Sequence, residues 1–65
     1  MKSLEGRWIL VTGASAGIGE ACARRFAEDG GGLILWARRL GRLQDLAAEL
    51  RERYGAEVEI QQVDV

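Results

Sequence analysis

The sequence predicts a small α/β fold of order β-α-β-α-β, with a three-stranded parallel sheet in spatial order 3-2-1 and both helices on one face. Two continuous apolar runs, within Arg7 to Thr12 and from Leu33 to Ala37, each precede a stretch with apolar residues at helical spacing. A third segment, Glu57 to Val65, alternates between apolar and polar residues, and glycines fall at the joints. Strands alternating with helices make parallel crossover units, and the right-handedness of such crossovers leaves essentially one arrangement.

The first run, Trp8-Ile9-Leu10-Val11, is rich in aromatic and β-branched residues and has no polar alternation, the pattern of a strand buried on both faces. Ile18, Ala21, Cys22 and Phe26 then recur on one side of a helix, with Glu20, Arg24, Glu28 and Asp29 on the other, and Gly30 stops it. Gly30-Gly31-Gly32 exceeds what a helix end requires and is expected to be a flexible loop that costs some stability. After the second strand, Leu40, Leu43, Leu46, Ala47 and Leu50 define the buried side of a second helix. Gly55 suits its C-terminal cap, with Tyr54 packing over the last turn. In the third strand Val58 and Ile60 alternate with Glu57, Glu59 and Gln61, as at a sheet edge with one wet face.

The 65 residues, 48% hydrophobic and 29% charged with a formal net charge of −1, make one soluble domain. A chain this short buries only about 60% of its unfolded surface, so a ligand, a partner or very good packing must add to its stability. Cys22 is the single cysteine, which excludes an internal disulfide and suits a reducing compartment, and the expected location is the cytoplasm. No basic block is present to neutralise a nucleic acid backbone, and Trp8 to Val11 is far too short to span a membrane. Neither partner is expected.

Chemistry concentrates in "LVTGASAGIG", residues 10 to 19. Gly13 permits the backbone angles of a sharp strand-to-helix turn, Gly17 leaves space for a pyrophosphate, and Gly19 lets the helix lie close to the first strand. The free N–H groups of the first helical turn, backed by the helix dipole, would face the anion, and Ser15 adds a hydroxyl donor. A phosphate-hydrolysing loop is excluded in its usual form, because no lysine follows the last glycine; Lys2 is the only one in the chain.

Thr12-Gly13-Ala14-Ser15-Ala16-Gly17-Ile18-Gly19 resembles the TGxxxGxG cofactor motif of the short-chain dehydrogenase/reductase family. Together with Ala37-Arg38-Arg39 after the second strand and Asp64-Val65 after the third, the resemblance covers nearly the whole chain and is closest to NADP-dependent enzymes acting on 3-hydroxy acids and serine. It implies half a Rossmann fold, with residues 1–65 as one truncated dinucleotide-binding unit. Gly13, Ser15, Ile18 and the main chain around Ala16 and Gly17 would then line the pyrophosphate and adenosine ribose. Asp64 would accept from the adenine amino group, and Val65 would pack beside the base.

Folds of this kind that select NAD usually carry an acid at the end of the second strand, where it accepts from the ribose 2′-hydroxyl. Arg38 and Arg39 stand there instead, and their forked donors match the 2′-phosphate of NADP. The expected cofactor is NADP in preference to NAD. Helix dipoles disfavour cations at a helix start, so local physics supplies no other reason for this pair. Ala16 departs from relatives that place a second basic residue inside the glycine loop. The remaining charges read as surface i,i+4 pairs: Glu20 with Arg24, Arg25 with Asp29, and Glu49 with Arg53.

In the family that these motifs resemble, hydride transfer uses a Tyr-x-x-x-Lys pair and a serine beyond the third strand. Here Tyr54, the only tyrosine, is followed four residues on by Val58, and the chain has no histidine. No catalytic residue is assigned, and Cys22 is expected to be buried and inert. Two readings stand. One is an NADP-binding half of a reductase that catalyses nothing alone; the other is a fragment or engineered Rossmann unit with a structural role and no cofactor affinity. In either, the first strand is an apolar sheet edge that invites a homodimer.

Overall fold

The computed structural model describes residues 4–14 and 16–63. In chain order it runs β1 (Trp8–Thr12), α1 (Gly17–Glu28), β2 (Gly32–Ala37), α2 (Leu40–Tyr54) and β3 (Val58–Gln62). The strands are all parallel in the order β1-β2-β3, the same adjacency as the predicted 3-2-1, so β2 is central. Side chains alternate across a strand, and the register sets Val11 beside Leu35 and Leu35 beside Ile60 on one face. That face carries the core: Val11, Leu33, Leu35, Ala37 and Val58 meet Ala23 and Ala27 of α1 and Leu43, Leu46, Ala47 and Leu50 of α2.

Helices cover this face only, which changes the reading of β1. Trp8 is 51% and Leu10 49% exposed on the opposite face, so β1 is not buried on both sides. Ile34 and Trp36 continue the same bare apolar surface along β2, half-buried.

α1 also turns a different side to the sheet than its apolar spacing suggested. Ala23 and Ala27 are buried and Phe26 is half-buried, while Ile18, Ala21 and Cys22 are exposed. Two alanines one turn apart let the helix sit close to the strands, and that approach decides the buried side. Cys22 is therefore on the surface, contrary to expectation. In α2 the spacing of Leu43, Leu46, Ala47 and Leu50 holds, but Leu40, in the first turn, is 38% exposed. Gly55 caps α2 in the left-handed region at φ 65°, and its N–H donates to the Arg51 carbonyl at 3.0 Å. Tyr54 packs against the core from the last turn.

The three consecutive glycines are a packed joint rather than a slack loop. A Cβ on Gly31 would stand 2.9 Å from Ile9 Cδ1 and 3.1 Å from the Phe26 carbonyl oxygen, and one on Gly32 would meet the Trp8 ring at 3.0 Å. Gly31 is itself buried. Absence of side chains here is what lets the chain return from α1 into β2 beside β1.

The charges tie the helices together. Arg24 reaches across from α1 to Glu49 of α2 with Nε at 2.8 Å and Nη2 at 3.1 Å, and also meets Glu20 at 3.4 Å. Arg42 joins Glu20 at 3.7 Å, and Arg25 pairs with Asp29 as expected. Glu49 thus hydrogen-bonds Arg24 rather than Arg53, whose charge still acts on it from one turn away and whose guanidinium lies 5.8 Å from the Tyr54 ring centre. The interhelical geometry explains the exchange: two parallel donors on one guanidinium fit a carboxylate better than an i,i+4 contact.

The Arg24 hydrogen bond holds the Glu49 carboxyl below its ordinary value, partly offset by desolvation, and the same bond raises Arg24. A depressed carboxyl stabilises the fold above its unfolded value, about pH 4.3, and loses that contribution as pH falls through the lower native value. The raised Arg24 titrates above any working pH. With both groups more than a third solvated or nearly so, Glu49→Gln is expected to cost no more than about 1 kcal/mol at pH 7 and less as the pH falls toward about 3. Urea unfolding at the two pH values reads this, and an equal deficit at both would contradict it.

Candidate functional site

Parallel strands bring their carboxyl ends, and the amino ends of both helices, to one end of the sheet, which is where open α/β sheets bind ligands. Gly13 leaves β1 with φ 68°, a left-handed conformation that glycine accepts without strain. Ala14 is wholly buried behind it and donates its N–H to the Trp36 carbonyl at 3.2 Å, which ties the turn to the end of β2. The Ala16 N–H closes the turn on the Gly13 carbonyl at 3.0 Å, and the Glu20 N–H opens α1 on the Ala16 carbonyl at 2.8 Å.

The three glycines have separable functions. Gly13 supplies a backbone angle. At Gly19 a Cβ would fall inside contact distance of the Gly13 carbonyl oxygen and 2.8 Å from the carbonyl carbon, so α1 crosses β1 only because that atom is missing. Gly17 has no positive φ, and a Cβ there would meet nothing within 4 Å. Neither the turn nor the packing of the protein demands glycine at 17. Beside it, Ile18 is 83% exposed, so it is not a core residue of this chain.

Both helices begin without a side-chain cap. Ala16 is the N-cap of α1 and Arg39 that of α2, and neither makes a capping hydrogen bond. The first N–H groups of a helix have no partner within it, so each start presents donors at the positive end of a helix dipole. α2 has no acid in its first turn, whereas α1 has Glu20, which is engaged by Arg24 and Arg42. Arg38 and Arg39, both exposed, fill the connection between β2 and α2.

Among the residues predicted for the site, Gly13, Ala16, Gly17, Ile18 and Gly19 thus form one turn, with Arg38 and Arg39 on the neighbouring connection. Ser15, Asp64 and Val65 lie outside the described residues. Val63 places the end of β3 at this same end of the sheet, with its N–H on the Ala37 carbonyl at 2.8 Å. Gln62 was not singled out in the sequence: its Nε2 donates to the Arg38 carbonyl at 3.0 Å, and nothing in a glutamine at the end of an alternating strand announces that bond.

An indentation of about 280 Å³ lies at the opposite end of the sheet, between Arg7, Trp8, Gly31, Tyr54 and Glu57. That indentation does not include the glycine turn. No helix among the described residues is long and apolar enough to cross a membrane.

A three-stranded parallel sheet with one layer of two helices and a glycine turn at its carboxyl end defines half a Rossmann fold. Residues 7–65 match the short chain dehydrogenase family, and the chain belongs to that family. It is 56% identical over 45 residues to sulfoacetaldehyde reductase 2 of Chromohalobacter salexigens, covering 69% of this chain and 18% of that one. Among solved structures, a short-chain dehydrogenase from Sphingobium yanoikuyae in complex with NADPH is similar, with TM-score 0.87 and 50% identity over 89% of this chain and 23% of that one. L-Sorbose reductase from Gluconobacter frateurii, complexed with NADPH and L-sorbose, gives TM-score 0.91 and 38% identity over 97% of this chain and 24% of that one. The chain therefore spans about a fifth to a quarter of the length of these relatives.

Proposed function

We propose that the chain is the NADP-binding part of a short-chain oxidoreductase, holding the adenosine and pyrophosphate portion of the cofactor. One observation carries this reading: Gly17 is a glycine in the first turn of a helix with neither a conformational nor a packing need for it. Glycine is a weaker helix former than alanine, and at this point, beside the Gly13 turn, it leaves a bare backbone surface open to a ligand. Relatives crystallised with NADPH support a dinucleotide.

Gly13 and the Ala16-Gly17 main chain would present N–H groups to the pyrophosphate, with Ser15 adding its hydroxyl and Gly19 keeping α1 close behind. Ile18 would cover the ribose with its exposed side chain. Arg38 and Arg39 would pair with the 2′-phosphate at the uncapped start of α2, where an anion relieves the cost of two cations. Asp64 and Val65 would receive the adenine. When bound, NADPH supplies the hydride of the oxidoreductase reaction; no residue of this chain is assigned to proton transfer.

Calorimetric or NMR titration tests the proposal. NADP is expected to bind at micromolar affinity or weaker, since contacts to only part of the cofactor are present, and more tightly than NAD. Arg38→Ala is expected to reduce the NADP to NAD affinity ratio about tenfold, the scale of one charge-assisted hydrogen bond. An Arg38→Ala chain that keeps its ratio would remove that residue from phosphate recognition. The competing reading, a structural Rossmann unit without affinity, is favoured by the bare face of Trp8 and Leu10 beside the open edge of β1, where a second copy would dock. Failure of either nucleotide to saturate at millimolar concentration decides for it.

A further inference from the structure

We propose that Gln62 is a positioning residue for NADP selection, holding the main chain from which Arg38 and Arg39 project; the inference rests on the NADP reading above. The carbonyls of residues 36 to 39 are each held by a different donor. Trp36 accepts from the Ala14 N–H at 3.2 Å, Ala37 from the Val63 N–H at 2.8 Å, and Arg39 from the Leu43 N–H at 3.1 Å. Arg38, between them, accepts from the Gln62 side chain at 3.0 Å. Three of these links belong to turn, sheet and helix, and would persist under almost any side-chain change. The fourth depends on one amide.

Its placement follows from the register. Gln62 is the partner of Ala37 in the last rung of the β2–β3 ladder, on the side of the sheet that the helices cover. Arg38 lies one residue beyond that rung, where the main-chain ladder has run out. The Gln62 amide adds one further bond at this point, and only the NH2 end of the amide can face a carbonyl. Without it, the Arg38 carbonyl loses its tie to the end of β3, between the links at Ala37 and Arg39. The bond joins the main chain between the two arginines to the end of β3, so it bears on the placement of both guanidinium groups at once.

Gln62→Met keeps the length of the side chain and removes the donor, and Gln62→Leu removes it with a branched side chain. Gln61→Met, on the far face of the same strand, is the control. Titration of each chain with NADP and with NAD is paired with 15N relaxation of the nucleotide-free protein. Loss of one net hydrogen bond predicts a fall of about fivefold in the NADP to NAD affinity ratio for both Gln62 variants. Lower order parameters are expected at Arg38 and Arg39, with NAD affinity unchanged. Gln61→Met should match the wild type. A purely structural role would instead weaken both nucleotides alike and leave their ratio unchanged, and that result overturns the inference. So does a wild-type NADP preference that survives intact in both Gln62 variants, which leaves the NADP reading standing. Equal wild-type affinities, or none, overturn the NADP reading and this inference with it.

Discussion

Gly19→Ala is expected to lower the thermal midpoint of the chain by about 10 to 20 °C, although alanine is the better helix former by about 1 kcal/mol. The new methyl carbon would lie 2.8 Å from the Gly13 carbonyl carbon and 3.1 Å from the Ala14 Cα. Those atoms are main chain and have little room to move. Ala14 is pinned to Trp36 and Ala16 to Gly13, and Ala14 has no exposed surface into which it could shift. α1 must then lift away from β1, which loosens Ala23 and Ala27 from the core they complete. Overpacking of this kind costs typically about 1 to 3 kcal/mol, a large share of the few kcal/mol that a domain of this size has in total. Thermal unfolding followed by circular dichroism measures the shift. A midpoint equal to or above that of the wild type would mean that the crossing of α1 over β1 is not set by this contact.

The order of elements, the parallel sheet and its adjacency were legible because each rests on local chemistry. Continuous apolar runs make strands, leucines at 43, 46 and 50 make one helix face, and Gly55 ends that helix in the left-handed region. Where the reading failed, the deciding fact was a contact between distant residues. Ile18, Ala21, Cys22 and Phe26 are as regularly spaced as Ala23 and Ala27, and only the close seat of α1 on the strands selects the alanines. Glu49 could meet Arg53 one turn away or Arg24 on another helix, and the answer depends on how the helices pack. Gly31 and Gly32 resembled slack because their neighbours, Ile9 and Trp8, are more than twenty positions away in sequence. The glycine turn and Arg38-Arg39 were visible as a pair of motifs, since family motifs are local. Their being tied together through Ala14 and Trp36, and braced by Gln62, is a property of the sheet.

Gly17→Asp is expected to divide folding from binding in the opposite direction to Gly19→Ala. At 17 the backbone is helical, a Cβ meets nothing, and the residue opens α1. Aspartate there loses less conformational freedom than glycine on folding and places a negative charge at the positive end of the helix dipole, which together raise stability by about 0.5 to 1 kcal/mol. The same carboxylate would stand where the pyrophosphate is proposed to lie. Two like charges about 4 Å apart repel by about 1 to 4 kcal/mol between bulk water and a protein surface, so NADP and NAD should both weaken by about fivefold or more. The ratio between the nucleotides should not change, because Arg38 and Arg39 are untouched. Raised salt should recover part of the lost affinity, since the penalty is electrostatic and partly exposed to solvent. A Gly17→Asp chain that is less stable than wild type would show that the protein itself needs glycine at this position. One that binds NADP undiminished would place the phosphates elsewhere and leave Gly17 with no function in the cradle.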